Sequence, residues 1–174
     1  MIWLKTMGVA MVIAGSGAFG MMGARGLDQR VEQLKQLRLA IAFLEKEITY
    51  MQTPLSMALT RTADFTAEPV KQLFLESSHI LKDRQGVTIR EAWQKGLKML
   101  AQAGDLQKED LNLLQTLAAQ LGMSGTEEQK KMFQMVDAQL QIQEQKARET
   151  SSSNRKLWAY GGFIVGAAVV LLLL

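Results

Sequence analysis

Acid–base chemistry needs two titratable groups within reach of one reacting atom. The stretch EKEITYMQTPLSMAL, residues 45–59, brings together Glu45, Glu47 and Tyr50. Residues two apart on a helix point to different faces, so Glu45 and Glu47 cannot work as an acid–base couple. Glu45 reads as a surface group. Glu47 stands three before Tyr50 in the last turn of a helix, where it can bond neighbouring backbone or an arginine. Glu47 and Tyr50 are therefore expected to brace a corner, not to transfer protons.

Other chemistries fare no better. The chain of 174 residues has no cysteine, which excludes disulfides, thiolate nucleophiles and cysteine-based metal sites. His79 is the single histidine and follows Ser77 and Ser78 on a helical stretch; it reads as a surface or interface residue. No phosphate-binding loop of the form GxxxxGK[ST] is present, so an energy-dependent task would need a separate ATPase. Ser151–Ser153 have no partnering histidine nearby. Trp93 stands on an apolar face and reads as core. The net charge of +3 gives no case for nucleic acid. Neither a cofactor nor a metal is expected.

The elements that must hold these residues are helices. Leu27, Val31, Leu34, Leu37, Ile41, Leu44, Ile48 and Met51 recur at intervals of three and four, with Arg, Lys, Glu and Gln between them. That spacing predicts one long amphipathic helix ending at Thr53-Pro54. A proline pushes its predecessor out of the α region and is itself welcome at a first helical position. Thr53 is expected to cap the second helix, whose inner face is Leu55, Ala58, Leu59 and Ala63. A third helix carries Val70, Leu73, Phe74, Ile80 and Leu81 and ends at Gly86. Thr88 and Glu91 have capping-box spacing before a fourth helix lined by Ala92, Trp93, Leu97 and Leu100. Leu106, Leu113, Leu114, Leu117 and Leu121 line a fifth, closed by Gly122. Thr126 with Gln129 repeats the capping pattern before a sixth helix carrying Met132, Phe133, Val136 and Leu140. Its apolar stripe fades after Ile142 into a tail that is either a solvated helical stalk or a short linker to the membrane, with SSSN its weakest point. The fold class is all-α, a six-helix bundle with a transmembrane helix at each end.

The two ends carry the membrane expectation. Thr6–Ala24 and Leu157–Leu174 are free of charge, and about 17–25 such residues span a bilayer. Trp158 and Tyr160 stand where an aromatic belt belongs. Arg25, Arg30, Lys35 and Arg38 follow the first run, and Lys146, Arg148, Arg155 and Lys156 lead into the second. By the positive-inside rule the middle faces the cytoplasm. The expected layout is residues 1–25 as a first membrane helix, 26–150 as a cytoplasmic bundle, and 151–174 as linker and second membrane helix. A competing reading makes the N-terminus a cleaved signal and the product an extracytoplasmic adaptor; a membrane-anchored enzyme acting at the corner is the other alternative.

This order of segments resembles the stage III sporulation protein AB family of endospore-forming Firmicutes over essentially the whole chain. The resemblance is carried by Glu47-Ile48-x-Tyr50-x-x-Thr53-Pro54-Leu55-x-x-Ala58-Leu59, then GVTIREAW with Trp93, then the Leu121-Gly122-x-Ser124 turn followed by Gln129. Gly125 departs from the aspartate expected there. The resemblance implies a bundle similar to the cytoplasmic domains of type II secretion and type IV pilus platform proteins. It further implies membership of the channel complex between mother cell and forespore, with the chain in the outer forespore membrane and its bundle in the mother-cell cytoplasm. Implied partners are the complex's cytoplasmic ATPase, stage III sporulation protein AA, the other channel-complex membrane proteins and the lipid bilayer; a homo-oligomer is left open. A non-enzymatic platform coupling that ATPase to the channel is the implied role. Exposed charges at Arg90, Lys95, Glu127, Glu128, Lys130 and Lys131 are the candidate partner-binding positions.

Overall fold

The computed structural model describes residues 2–83, 86–121 and 125–173, with side chains over 25–153 apart from 84–85, 120, 122–124 and 126. Among these residues there are six α-helices and no strand: α1 (Ile2–Thr49), α2 (Leu55–Phe65), α3 (Val70–Asp83), α4 (Ile89–Ala103), α5 (Lys108–Gln120) and α6 (Thr126–Leu173). Two compact units divide the chain. One comprises Gln29–Gln145, and the other comprises Met1–Asp28 together with Lys146–Leu174.

The Gln29–Gln145 unit buries the middle of the predicted stripe, while Val31 and Ile48 are half-buried and Met51, past the end of α1, is 70% exposed. Leu34, Leu37, Ile41 and Leu44 of α1 have no exposed surface, and neither do Leu59, Leu73, Phe74, Trp93, Leu100, Leu114, Leu117, Phe133 and Leu140 on the other helices. Burying side chains of this size is the main favourable term for such a bundle. Helix α3 lies between α2 and α4, and α4 also packs on α5. Gly96 sets the α3–α4 approach, because a Cβ there would collide with the Leu73 carbonyl and come within 2.7 Å of Ser77 Oγ. The Trp93 ring meets Phe74 edge-on at 5.6 Å, and its Nε1–H donates to the Leu114 carbonyl at 2.9 Å. The buried indole thus satisfies its one donor. Phe43 of α1 stacks on Phe65 of α2 at 5.1 Å.

Caps explain several boundaries. Thr88 accepts from the Glu91 N–H, and Glu91 accepts from the Thr88 N–H, which completes the capping box that starts α4. Helix α6 is capped one residue before the expected position: Gly125 provides the carbonyl that accepts from Gln129 N–H at 3.0 Å, and Thr126 is already helical. Helix α5 ends with Leu121 N–H on the Leu117 carbonyl. Gly122, expected to close α5, lies outside the described residues.

The unit formed by the two ends corrects one expectation. Residues 151–153 are not a break; the α6 backbone is helical through them. Thr150 and Ser152 return their hydroxyls to the Lys146 and Glu149 carbonyls at 2.8 and 2.9 Å, a bond that lets such residues sit inside a helix. Ser151 is buried and donates to Asp28 of α1. Among the described residues no helix is long and apolar enough to cross a membrane. The runs Thr6–Ala24 and Leu157–Leu174, where spans are expected, have side chains outside the described residues.

Candidate functional site

The corner between α1 and α2 is built from the end of one helix folding back on its own side chain. Tyr50 and Met51 N–H both donate to the Lys46 carbonyl at 3.1 Å, and Thr53 N–H donates to the Glu47 carbonyl at 2.9 Å. To close this turn Gln52 takes φ +50°. That region is unfavourable for any residue with a Cβ and persists where surrounding contacts enforce it.

Glu47 supplies those contacts. It is 7% exposed, and its Oε2 accepts from Thr53 Oγ1 at 2.8 Å and from Arg61 Nη1 at 3.0 Å. The Thr53 hydroxyl, followed by the Arg61 guanidinium, holds the Glu47 carboxyl below its ordinary value. Thr53 therefore does not cap α2, because its hydroxyl is spent on Glu47. Pro54 occupies the cap position instead of the first helical one, and its carbonyl accepts from Met57 and Ala58 N–H at 2.9 Å. Leu55, the first residue of α2, is half-buried.

Tyr50 does not join this brace. It is 66% exposed and lies against α6, with Lys130 Nζ 5.7 Å from its ring centroid. The Tyr50 hydroxyl holds the Lys130 ammonium above its ordinary value. Glu45 is not a plain surface group either. It is half-buried, and burial pushes its carboxyl up, Asp137 adding to the effect and Lys130 opposing it. The two carboxylates of the corner are thus shifted in opposite directions and bound to different partners. Glu47 is a charged acceptor with two donors on Oε2, held below its ordinary value and so weakened as a base at neutral pH.

The remaining candidates are scattered. Arg90 and Lys95 are exposed on α4, while Glu127, Glu128 and Lys131 are exposed in the first two turns of α6 and Gln129 is half-buried. Of the cations, Lys130 is the one brought to the corner. Trp93 is buried in the core. His79 pairs with Asp83 at 2.8 Å on the α3 surface. Among the described residues no group of three or more His, Cys, Asp or Glu could hold a metal ion.

A second polar site is absent from the reading of the sequence. Arg30 of α1 meets Asp110 of α5 through a two-bond fork, Nε–Oδ2 at 2.9 Å and Nη2–Oδ1 at 3.1 Å, with side-chain exposures of 7% and 0%. Arg38 holds Asp137 at 3.1 Å and Glu144 at 3.0 Å, joining α1 to α6. Both arginines count among the flanking cations of the topology rule, yet both are tied into the bundle. The available signal was position: Arg30 is three after Leu27 and four before Leu34, on the stripe that faces the core.

Comparison with known proteins bears on the whole chain. The family model described as Stage III sporulation protein AB matches residues 5–174. The chain is 30% identical over 171 residues to Stage III sporulation protein AB of Bacillus subtilis (strain 168), covering 98% of this chain and 99% of that one. A solved structure of Stage III sporulation protein AB is similar with a TM-score of 0.67 at 30% identity, over 71% of this chain and 97% of the other. The chain belongs to the stage III sporulation protein AB family.

Proposed function

We propose that this family member is a membrane-anchored, non-enzymatic platform of the sporulation channel complex. Its bundle faces the mother-cell cytoplasm from the outer forespore membrane and couples a cytoplasmic ATPase to the channel. The observation that carries this reading is the path of α1 and α6. The two helices that bear the terminal apolar runs are 48 residues each, and both contribute core and ion pairs to the bundle. An element fixed in this way can hand position from a bundle to its anchors. The Glu47 brace supports the reading further, because its Oε2 holds Thr53 and Arg61 in the turn and its lowered value makes it a weak base.

The ATPase docks on charged and apolar positions outside the core. Arg90, Lys95, Glu127, Glu128, Lys130 and Lys131 are the charged candidates, and Tyr50 with Met51 adds an exposed apolar tip at the corner. The test is site-specific photo-crosslinking in sporulating cells, with the crosslinker placed in turn at Tyr50, Arg90 and Glu127. An adduct with the ATPase from at least one position supports the platform reading. Adducts only with extracytoplasmic proteins, or digestion of the bundle by protease added outside intact cells, would overturn it.

A further inference from the structure

The apolar stripe of α1 places the helix in the bundle, but it is a weak ruler. Val31, Leu34, Leu37, Ile41, Leu44 and Ile48 repeat every three or four residues with similar size and shape. A slide of one turn, about 5.4 Å, exchanges one branched aliphatic for another and keeps the stripe facing inward. Something else must fix the axial position of α1.

Two residues of α1, together with the segment from the end of α4 to the start of α5, meet that need. Arg30 is 6% exposed and forks onto Asp110, which has no exposed surface. Asp110 Oδ2 also accepts from the Gln107 N–H at 2.9 Å, so the carboxylate is fixed to the start of α5. One turn along α1, Gln33 is 6% exposed; its Oε1 accepts from the Asp105 N–H at 2.9 Å and its Nε2 donates to Asp105 Oδ2 at 3.3 Å. Gly104 completes the fit, since a Cβ there would stand 2.8 Å from Gln33 Oε1. These contacts are direction-dependent and cannot be exchanged by a slide. Displaced by a turn, α1 would offer Asp110 the Gly26–Leu27 or the Gln33–Leu34 level, neither of which carries a cation, and leave a buried carboxylate without its partner.

We propose that Arg30, Gln33, Asp105 and Asp110 form a register lock that sets the axial position of α1 against the α4–α5 segment. Its contribution is specificity of position more than stability, the best-attested use of a buried ion pair. The lock stands on this geometry alone and does not depend on the platform reading. It makes the part of α1 within the Gln29–Gln145 unit and the Gly104–Asp110 segment move as one body.

The chain has no cysteine, so the full-length protein in detergent micelles can be spin-labelled at Glu32→Cys and Asn112→Cys, exposed positions on α1 and α5. Pulsed electron resonance then gives the distance distribution between them. The unaltered lock should give one narrow peak. Arg30→Met with Asp110→Leu should keep the unfolding temperature of the parent but broaden the distribution or add a population displaced by about 5 Å. Arg30→Lys, which keeps the charge but loses the fork, should broaden it partially at little cost in folding. A narrow peak in both variants would overturn the lock. So would loss of folding in the apolar double variant together with a narrow peak for Arg30→Lys, because the pair would then be needed for stability and not for register.

Discussion

Two ion pairs stand on the same helix nearly five turns apart and behave differently. Near its start within the bundle, Arg30 holds Asp110 with both side chains almost completely enclosed; near its end, Arg61 holds Glu47 while itself 53% exposed. Enclosure raises what is at stake. A buried charge that loses its partner has no water to turn to, whereas an exposed arginine regains its hydration at once. The first pair dictates where α1 must be, and the second steadies a turn that the backbone already makes.

The largest effect should follow from breaking the enclosed pair on one side only. Asp110→Ala leaves Arg30 buried and unpartnered, and equilibrium denaturation should register a loss of about 3–5 kcal/mol. Arg38→Ala lies between the extremes, because Arg38 is 27% exposed and bridges Asp137 and Glu144. It should cost about 1–3 kcal/mol by the same measurement. A cost for Arg38→Ala above that of Asp110→Ala would break the ranking by burial.

The corner should answer to pH, and its two carboxylates should answer with opposite sign. The folded-state value of Glu47 is depressed, so its carboxylate stabilises above the ordinary value of 4.5 and loses that contribution as pH falls through the lower folded value. Glu47→Gln should therefore lower the unfolding temperature at neutral pH and match the parent in acid. Glu45 is raised, so its favourable contribution is present below 4.5 and fades as pH rises through the folded value. Glu45→Gln, which mimics the protonated form, should raise the unfolding temperature slightly at neutral pH and match the parent in acid. Thermal melts from pH 3 to 7 distinguish the two. Tyr50→Ala should change stability least, because the ring is mostly exposed, while reducing ATPase crosslinking from neighbouring positions if the corner takes part in docking.

Much of the architecture is legible in the sequence because helix periodicity and caps are local. The three–four spacing from Leu34 to Leu44 gives the buried face of α1, and the Thr88–Glu91 box gives the start of α4. Trp93 among apolar neighbours gives a core residue. Contacts that compete across distance are not legible. Thr53 is a residue type suited to a cap, but Glu47, six residues back, accepts its hydroxyl instead. Asp110, in QKED, looks like any acidic residue in a solvated first turn; its cation is eighty residues away. Serines at 151–153 look like a hinge, yet hydroxyls that return to the preceding turn leave a helix intact. Of the charges at Arg25, Arg30, Lys35 and Arg38 that the topology rule uses, Arg30 and Arg38 are also tied into the bundle.

A pair of double-mutant cycles tests the central claim most directly. One cycle uses Arg30→Ala and Asp110→Ala, the other Arg61→Ala and Glu47→Ala, each followed by equilibrium denaturation of the full-length chain. The account predicts a coupling at Arg30–Asp110 about three times that at Arg61–Glu47, or more. Equal couplings, or a stronger one at the exposed corner, would contradict it.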